Sequence, residues 1–212
     1  MSSFPEVLID RFRRFKHRHF VPNADQYEEL AKYGQDPQTM VISCCDSRVD
    51  PETIFTAMPG ELFVVRNVAA LVPPYETGGQ FHGVSAAIEF AVLNLRVKNL
   101  IIMGHSGCGG IKAALDKSAA IQTDAMFISR WMSMLDDARL RVLSAHQMAS
   151  SAEKQRYLEL EGIKASISNL RTFPFVKEEE EKGRLALHGA HFEIATGTLS
   201  VLNHSRGEFY PL

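Results

Sequence analysis

Three short runs constrain this chain more than anything else in it: "TMVISC" at 39–44, "ELFVVRNV" at 61–68 and "NLIIMGH" at 99–105. Each is apolar and rich in β-branched residues, as expected of strands buried on both faces. Between the second and third lies "VSAAIEFAVLNL", an apolar stretch of helical character. Strands alternating with helices predict an α/β fold with a mostly parallel central sheet flanked by helices. In such sheets functional residues gather at the carboxyl ends of the strands. "CCDSR" follows the first strand, "RNV" ends the second and "GHSGCGG" closes the third. These three loops are predicted to converge at one edge of the sheet.

The flanking segments read as helices and a hairpin. Near the start, Ser3 and Glu6 have capping-box spacing, with Leu8, Phe12 and Phe15 on one helical face and Arg11, Arg14 and Arg18 on the other. The basic face suits solvent or a partner subunit. "ADQYEELAKYG" predicts a second short helix ended by Gly34. Residues 124–148 predict one long helix with Phe127, Trp131, Met134 and Leu135 inward. Another is expected over about 151–171, with Ser150 and Glu153 at capping-box spacing and Ile163, Ile167 and Leu170 in register. "KEEEEKGR" reads as a solvated turn or helix end. "RLALHGAHFEIATGTLSVLN" alternates around Gly197 and predicts a C-terminal β-hairpin that extends the sheet.

Composition removes several function classes. The 212 residues suffice for one compact domain with a real core. A net charge of −2 gives no basic excess to suggest nucleic acid. No apolar run approaches the ~20 residues of a membrane span. The first twenty or so residues lack a signal peptide's apolar core, so a cytoplasmic location is the default expectation. Three cysteines, two of them adjacent, argue against a disulfide framework on spacing alone.

The chemistry concentrates in two loops. In "GHSGCGG", His105 and Cys108 are three residues apart on a glycine-rich turn. Imidazole and thiolate are preferred zinc donors. Alone, H-x-x-C is weak, because such residues more often serve as a hydrogen-bonded core histidine and a small buried hydrophobe. "CCDSR" supplies a further soft donor from a separate strand end, and Asp46 and Arg48 can pair as carboxylate and guanidinium. Three protein donors beside such a pair leave a fourth zinc position for water, the usual arrangement of a catalytic zinc.

C-x-D-x-R followed about sixty residues later by H-x-x-C resembles the β-class carbonic anhydrases. The resemblance extends through "PGELFVVRNVAALVPPYE", "AAIEFAVLNLRVKNLIIMGHSGCGGIKAAL", "SISNLRTFPFV" and "LALHGAHFEIATGTLSVL", covering nearly the whole chain. Val41 stands where a second branch of the family has tryptophan beside an inhibitory bicarbonate site, so the chain looks like the plant-type branch, and no such site is expected.

The resemblance implies one domain over 1–212, with a helical arm at 1–34 that takes part in dimerisation and a catalytic core at 39–203. It implies Zn2+, one per chain, held by Cys44, His105 and Cys108, with Cys45 at a variable position. It implies reversible hydration of carbon dioxide to bicarbonate and a proton by zinc-bound hydroxide. Asp46, paired with Arg48, would orient that oxygen, or swing onto the zinc as a fourth ligand in a closed state. Gln35 would donate to a substrate oxygen, and Phe63, Val68, Phe90 and Gly107 would line the pocket. Phe90 departs from the tyrosine of many plant-type members, which puts a polar contact there in doubt. The pocket would lie at a dimer interface, in a dimer or a tetramer of dimers, without nucleic acid or membrane.

Other readings exist. Relatives of the same fold hydrolyse carbon disulfide or carbonyl sulfide, and a zinc-stabilised binding protein would keep the metal site without catalysis. Intact Asp46, Arg48 and Gln35 argue against the latter. A Cys44–Cys45 redox pair is disfavoured because adjacent cysteines form only a strained bridge. "GHSGCGGIK" lacks the spacing of a phosphate-binding loop. Of His17, His19, His82, His146, His188, His191 and His204, none has a motif that nominates it as a proton shuttle.

Overall fold

A computed structural model describes residues 4–79, 82–116 and 126–212. Six strands form one sheet in the order β2-β1-β3-β4-β5-β6. They are β1 (Thr39–Cys44), β2 (Leu62–Asn67), β3 (Asn99–His105), β4 (Ala186–Glu193), β5 (Thr198–Asn203) and β6 (Glu208–Pro211). β1, β2, β3 and β4 run parallel, and β5 and β6 add antiparallel at one edge. The three apolar runs are therefore adjacent strands, with β1 and β3 inside the sheet and β2 at its edge, where its six residues are half-buried rather than buried on both faces. The hairpin turns at Gly197, whose φ is +70°. β6 was not foreseen: "GEFYP" is short, half polar and ends on proline, so it carries little strand signal.

Helices cover mainly one face. Met40, Ile42, Leu100, Ile102 and Leu187 of the sheet pack on Ile88, Val92, Ile163, Ile167 and Leu170. Those partners come from α4 (Gly83–Glu89, continued by a π-helical turn to Leu95) and from α8 (Ser151–Leu170). The alternate residues Val41, Met103 and Ala190 form a smaller cluster with Ile54 of α3 (Pro51–Ile54). α8 approaches very closely: a Cβ on Gly104 or on Gly189 would come within 2.9 Å of the Ile163 side chain. Its start has both capping-box bonds, Ser150 Oγ accepting from the Glu153 N–H and the Glu153 carboxylate accepting from the Ser150 N–H.

The remaining helices include one correction. The long helix expected over 124–148 is α6 (Met126–Met132), a 3₁₀ turn (Ser133–Leu135) and α7 (Asp136–Ala145). Leu135 is fully buried, but Phe127 is 86% exposed rather than inward. Residues 124–125 and the Ser3 cap lie outside the described residues. The run "KEEEEKGR" is the end of α9 (Pro174–Glu181), solvated and paired through Glu179–Arg184 and Glu180–Arg171. α5 (Gly109–Asp116) packs against α8 below the third loop. α1 (Glu6–Phe15) runs on through π-helical and 3₁₀ turns into α2 (Ala24–Tyr33), which Gly34 ends with φ +85°. Neither helix buries a residue in this chain. Contacts to the loop before β2 include Gln26 Nε2 donating to the Pro59 carbonyl at 3.2 Å.

Candidate metal centre and active site

Register brings the donors together. β1 ends at Cys44 beside Asn67 of β2, and β3, its other neighbour, ends at His105. Cys44, His105 and Cys108 are buried, and their donor atoms all lie within 4.8 Å of one another. The two sulfurs are 4.0 Å apart. His105 Nδ1 bonds the Ser106 carbonyl at 2.9 Å, which requires the proton on Nδ1 and, in the neutral ring, leaves Nε2 with a lone pair. That Nε2 is buried without a hydrogen-bond partner. An orphaned buried nitrogen beside two buried sulfurs fits a zinc ion by donor chemistry. Cys45 points the other way and is exposed.

The three donors also shift one another's acidity. The contact with Cys108 draws the Cys44 thiol down to about 4 despite burial, helped by His105 and by the backbone N–H groups of Asp46 and Ala69. The same contact, together with burial, pushes Cys108 up. Burial opposes a proton on His105, but Cys44 and the Ser106 carbonyl, with the charge of Asp46, raise its pKa on balance. Protons are thus shared among three donors that a divalent ion would hold as thiolate, thiolate and neutral imidazole.

Asp46 and Arg48 stand at the mouth. Arg48 Nε donates to Asp46 Oδ1 at 2.9 Å and Nη2 donates to Oδ2 at 2.7 Å. The Arg48 backbone N–H adds a third bond to Oδ1 at 3.0 Å. This grip holds the carboxyl well below the usual carboxylate range. Asp46 Oδ2 lies 3.9 Å from His105 Nε2, so the held carboxylate borders the donor cluster. Arg48 Nη2 also reaches the Gly107 carbonyl at 3.4 Å, where Gly107 takes φ +65°.

A family profile for carbonic anhydrase matches residues 39–199. Beta carbonic anhydrase 6, mitochondrial, of Arabidopsis thaliana is 36% identical over 196 residues, covering 92% of this chain and 67% of that protein. The chain belongs to the β-class carbonic anhydrases. Its activity is the zinc-dependent, reversible hydration of carbon dioxide to bicarbonate. Among solved structures, the β-carbonic anhydrase CcaA superposes with a TM-score of 0.92 at 29% identity, covering 98% of each chain. A tetrameric β-carbonic anhydrase from Sordaria macrospora gives 0.79 at 26% identity, covering 93% of this chain and 96% of that one.

Within this β-carbonic anhydrase, the residues picked from sequence divide into two groups. Cys44, Asp46, Arg48, His105, Gly107 and Cys108 lie together, and Val68 is at the adjoining end of β2. Gln35 precedes β1 and is exposed, at the opposite end of a strand that spans about 17 Å. Phe63 pairs with Met40, four residues before the carboxyl end of β2, and its ring lies 5.9 Å from that of Phe90. Gln35, Phe63 and Phe90 therefore stand away from the Cys44 cluster of their own chain.

The supports of the β-carbonic anhydrase site were mostly missed. Arg66 donates to the carbonyls of Cys44 at 2.9 Å and Asp46 at 2.7 Å, and to Asp50 at 3.1 Å, tying down the first loop. Ala69 and Ala70 take left-handed φ of 65° and 55°, a strained conformation for alanine. Asn67 holds that turn through both the N–H and the carbonyl of Leu71. Ser106 donates to Glu193 at 2.6 Å, and Arg156 holds the other oxygen at 3.0 Å. A charged residue inside an apolar run, Arg66 in "FVVRNV", was the signal available in the sequence.

Proposed function

We propose that Cys44, His105 and Cys108 hold the catalytic zinc of this carbonic anhydrase, and that Asp46 and Arg48 work as its gate. The supporting observation is the buried, unpartnered Nε2 of His105 within 4.8 Å of two buried sulfurs. Zinc, when bound, supplies a Lewis-acidic position that lowers the pKa of a coordinated water toward neutrality. Arg48 fixes the Asp46 carboxylate as a pure acceptor, ready to take a hydrogen bond at the edge of the donor cluster and aim the attacking lone pair. Released by Arg48, the same carboxylate would be free to act as a fourth ligand and close the site. Val68 and Gly107 border the substrate's approach, and their lack of charge suits a linear, apolar molecule.

We infer further that the single domain, 1–212, works as a homo-oligomer in the cytoplasm, with 1–34 as an arm and 39–203 as the catalytic core. Exposed apolar residues on α1, including Phe12 at 61%, support a covering partner. Gln35, Phe63 and Phe90 would then serve the pocket of a second copy. A second copy is also in keeping with the tetrameric state named for the Sordaria relative. Light scattering that returned a monomer at micromolar concentration would overturn the assembly reading. Cell fractionation tests the location, since the first plant relative named above is mitochondrial.

The decisive assay is stopped-flow carbon dioxide hydration on protein of measured zinc content, with carbon disulfide and carbonyl sulfide run beside it. Hydration that scales with zinc supports the reading. Full zinc with turnover of only the sulfur substrates, or of none, would replace it with a hydrolase or a silent zinc protein.

A further inference from the structure

Main-chain bonds fix the edges of the loop that carries Cys108, Ser106 N–H donating to the Phe192 carbonyl and Lys112 N–H to the Cys108 carbonyl, both at 3.0 Å, but neither holds the Cys108 N–H. Gly107, Gly109 and Gly110 surround the cysteine, and a Cβ at Gly107 or Gly109 would meet nothing within 4 Å. Glycine gives the backbone its greatest freedom, yet a metal ligand needs a fixed position. Two side chains of α8 supply the restraint. Glu159 Oε1 accepts the Cys108 N–H at 3.2 Å, and Gln155 Nε2 donates to the Cys108 carbonyl at 3.3 Å. Gln155 Nε2 also donates to Glu159 Oε1 at 3.1 Å, so the two form one unit that grips both ends of a single residue.

Glu159 is only 4% exposed, a rare place for a carboxylate. Burial of such a charge is tolerated only where donors meet it. The third partner is His191 of β4, fully buried, whose Nε2 is 3.1 Å from Glu159 Oε2. A carboxylate can only accept, so Nε2 carries the proton, and His191 Nδ1 is left buried without a partner. The chain thus orphans one nitrogen in order to hold Glu159 from behind.

We propose that Glu159, braced by His191 and joined to Gln155, is a positioning residue for the Cys108 ligand, setting metal affinity through geometry rather than through its charge. The proposal rests on the reading of Cys108 as a zinc ligand. A glutamine at 159 preserves the pattern: its oxygen accepts from Cys108 and Gln155, and its amide donates to Nε2 of the other His191 tautomer. Removing a group that orients a ligand typically weakens metal binding by about 10–100-fold.

The test measures zinc dissociation constants by competition with a chromophoric chelator, and the thiolate-to-metal charge-transfer band of the cobalt-substituted protein. Glu159→Ala is expected to weaken zinc by about 10–100-fold and to shift or broaden the cobalt band. Glu159→Gln is expected to stay within about threefold of the native protein. Leu170→Ala, a packing change at the far end of the same helix, should lower the melting temperature without moving zinc affinity. Should Glu159→Ala fail to fold, Gln155→Ala carries the same expectation in weaker form. Native-like zinc affinity in the alanine variants would overturn the proposal, and so would a Glu159→Gln variant as poor as Glu159→Ala. If Cys108→Ser keeps tight zinc, the metal-site reading itself has failed.

Discussion

The two walls of the site are built on opposite plans. The wall of His105 and Cys108 is buried and held by bonds to Ser106, Glu159 and Gln155, with Ile163 of α8 pressed against Gly104 behind it. The wall of Asp46 and Arg48 lies in the open: Asp46 is 17% and Arg48 53% exposed at the side chain, and the guanidinium supplies two of the carboxylate's three bonds. A metal needs donors that do not move, and a gate needs a carboxylate that can. With the proposed roles, the contrast would put rigidity where the donors sit and freedom to move where solvent can replace a lost bond.

Variants can break that contrast or sharpen it. Cys108→Ser should have the largest effect: hydration falls to background, and the protein loses zinc to mild chelation, read by metal analysis after dialysis. Arg48→Ala should lower kcat/KM by about 10²-fold, the scale for misplacing a group near the chemistry, while zinc content stays native. Loss of zinc in that variant would erase the distinction between the walls. Leu170→Ala removes packing from the same helix, α8, away from the fixed wall and should cost about 2–5 kcal/mol in urea unfolding, with zinc per folded chain unchanged. Arg171→Gln breaks a pair with the same two-pronged geometry on Glu180, away from the site. It should cost no more than about 1 kcal/mol and leave activity intact.

Acid offers a further handle on the gate. The folded pKa of Asp46 lies below its unfolded value, so the pair's contribution is complete above about pH 4 and is lost only as pH falls through the lowered folded value. The difference in melting temperature between native protein and Arg48→Ala should therefore be constant from pH 6 to 9 and shrink only in strong acid. A difference that changed across neutrality would mean that another group titrates with the gate.

The sheet and the donors were legible because both are local patterns. β-branched runs announced β1, β2 and β3, and the spaced triplet Cys44, Asp46, Arg48 with His105 and Cys108 announced the cluster. The supports were not, because they depend on which residues meet in space. Glu159 nevertheless left a trace: it falls four residues before Ile163, on the stripe that α8 buries, where a charge is out of place. His191 looked like any other histidine until β4 set it behind Glu159. Phe127 misled because an apolar helix face predicts burial without saying that its own chain provides it. Gln35, Phe63 and Phe90 could be picked by resemblance, yet the register of β1 and β2 sets them far from their own Cys44.

That register also bears on how the chain reaches its fold. Cys44 and Cys108 are 64 residues apart in sequence and meet only because β1 pairs with β3 as Val41 to Ile101 and Ser43 to Met103. A slip of one residue would turn Cys44 to the other face, and in one of its two directions it would offer Ser43, a poor zinc donor, in its place. Zinc held by Cys44 and Cys108 would thus add its binding energy to the native pairing over that slip, so that the ion serving the chemistry would also proofread the sheet.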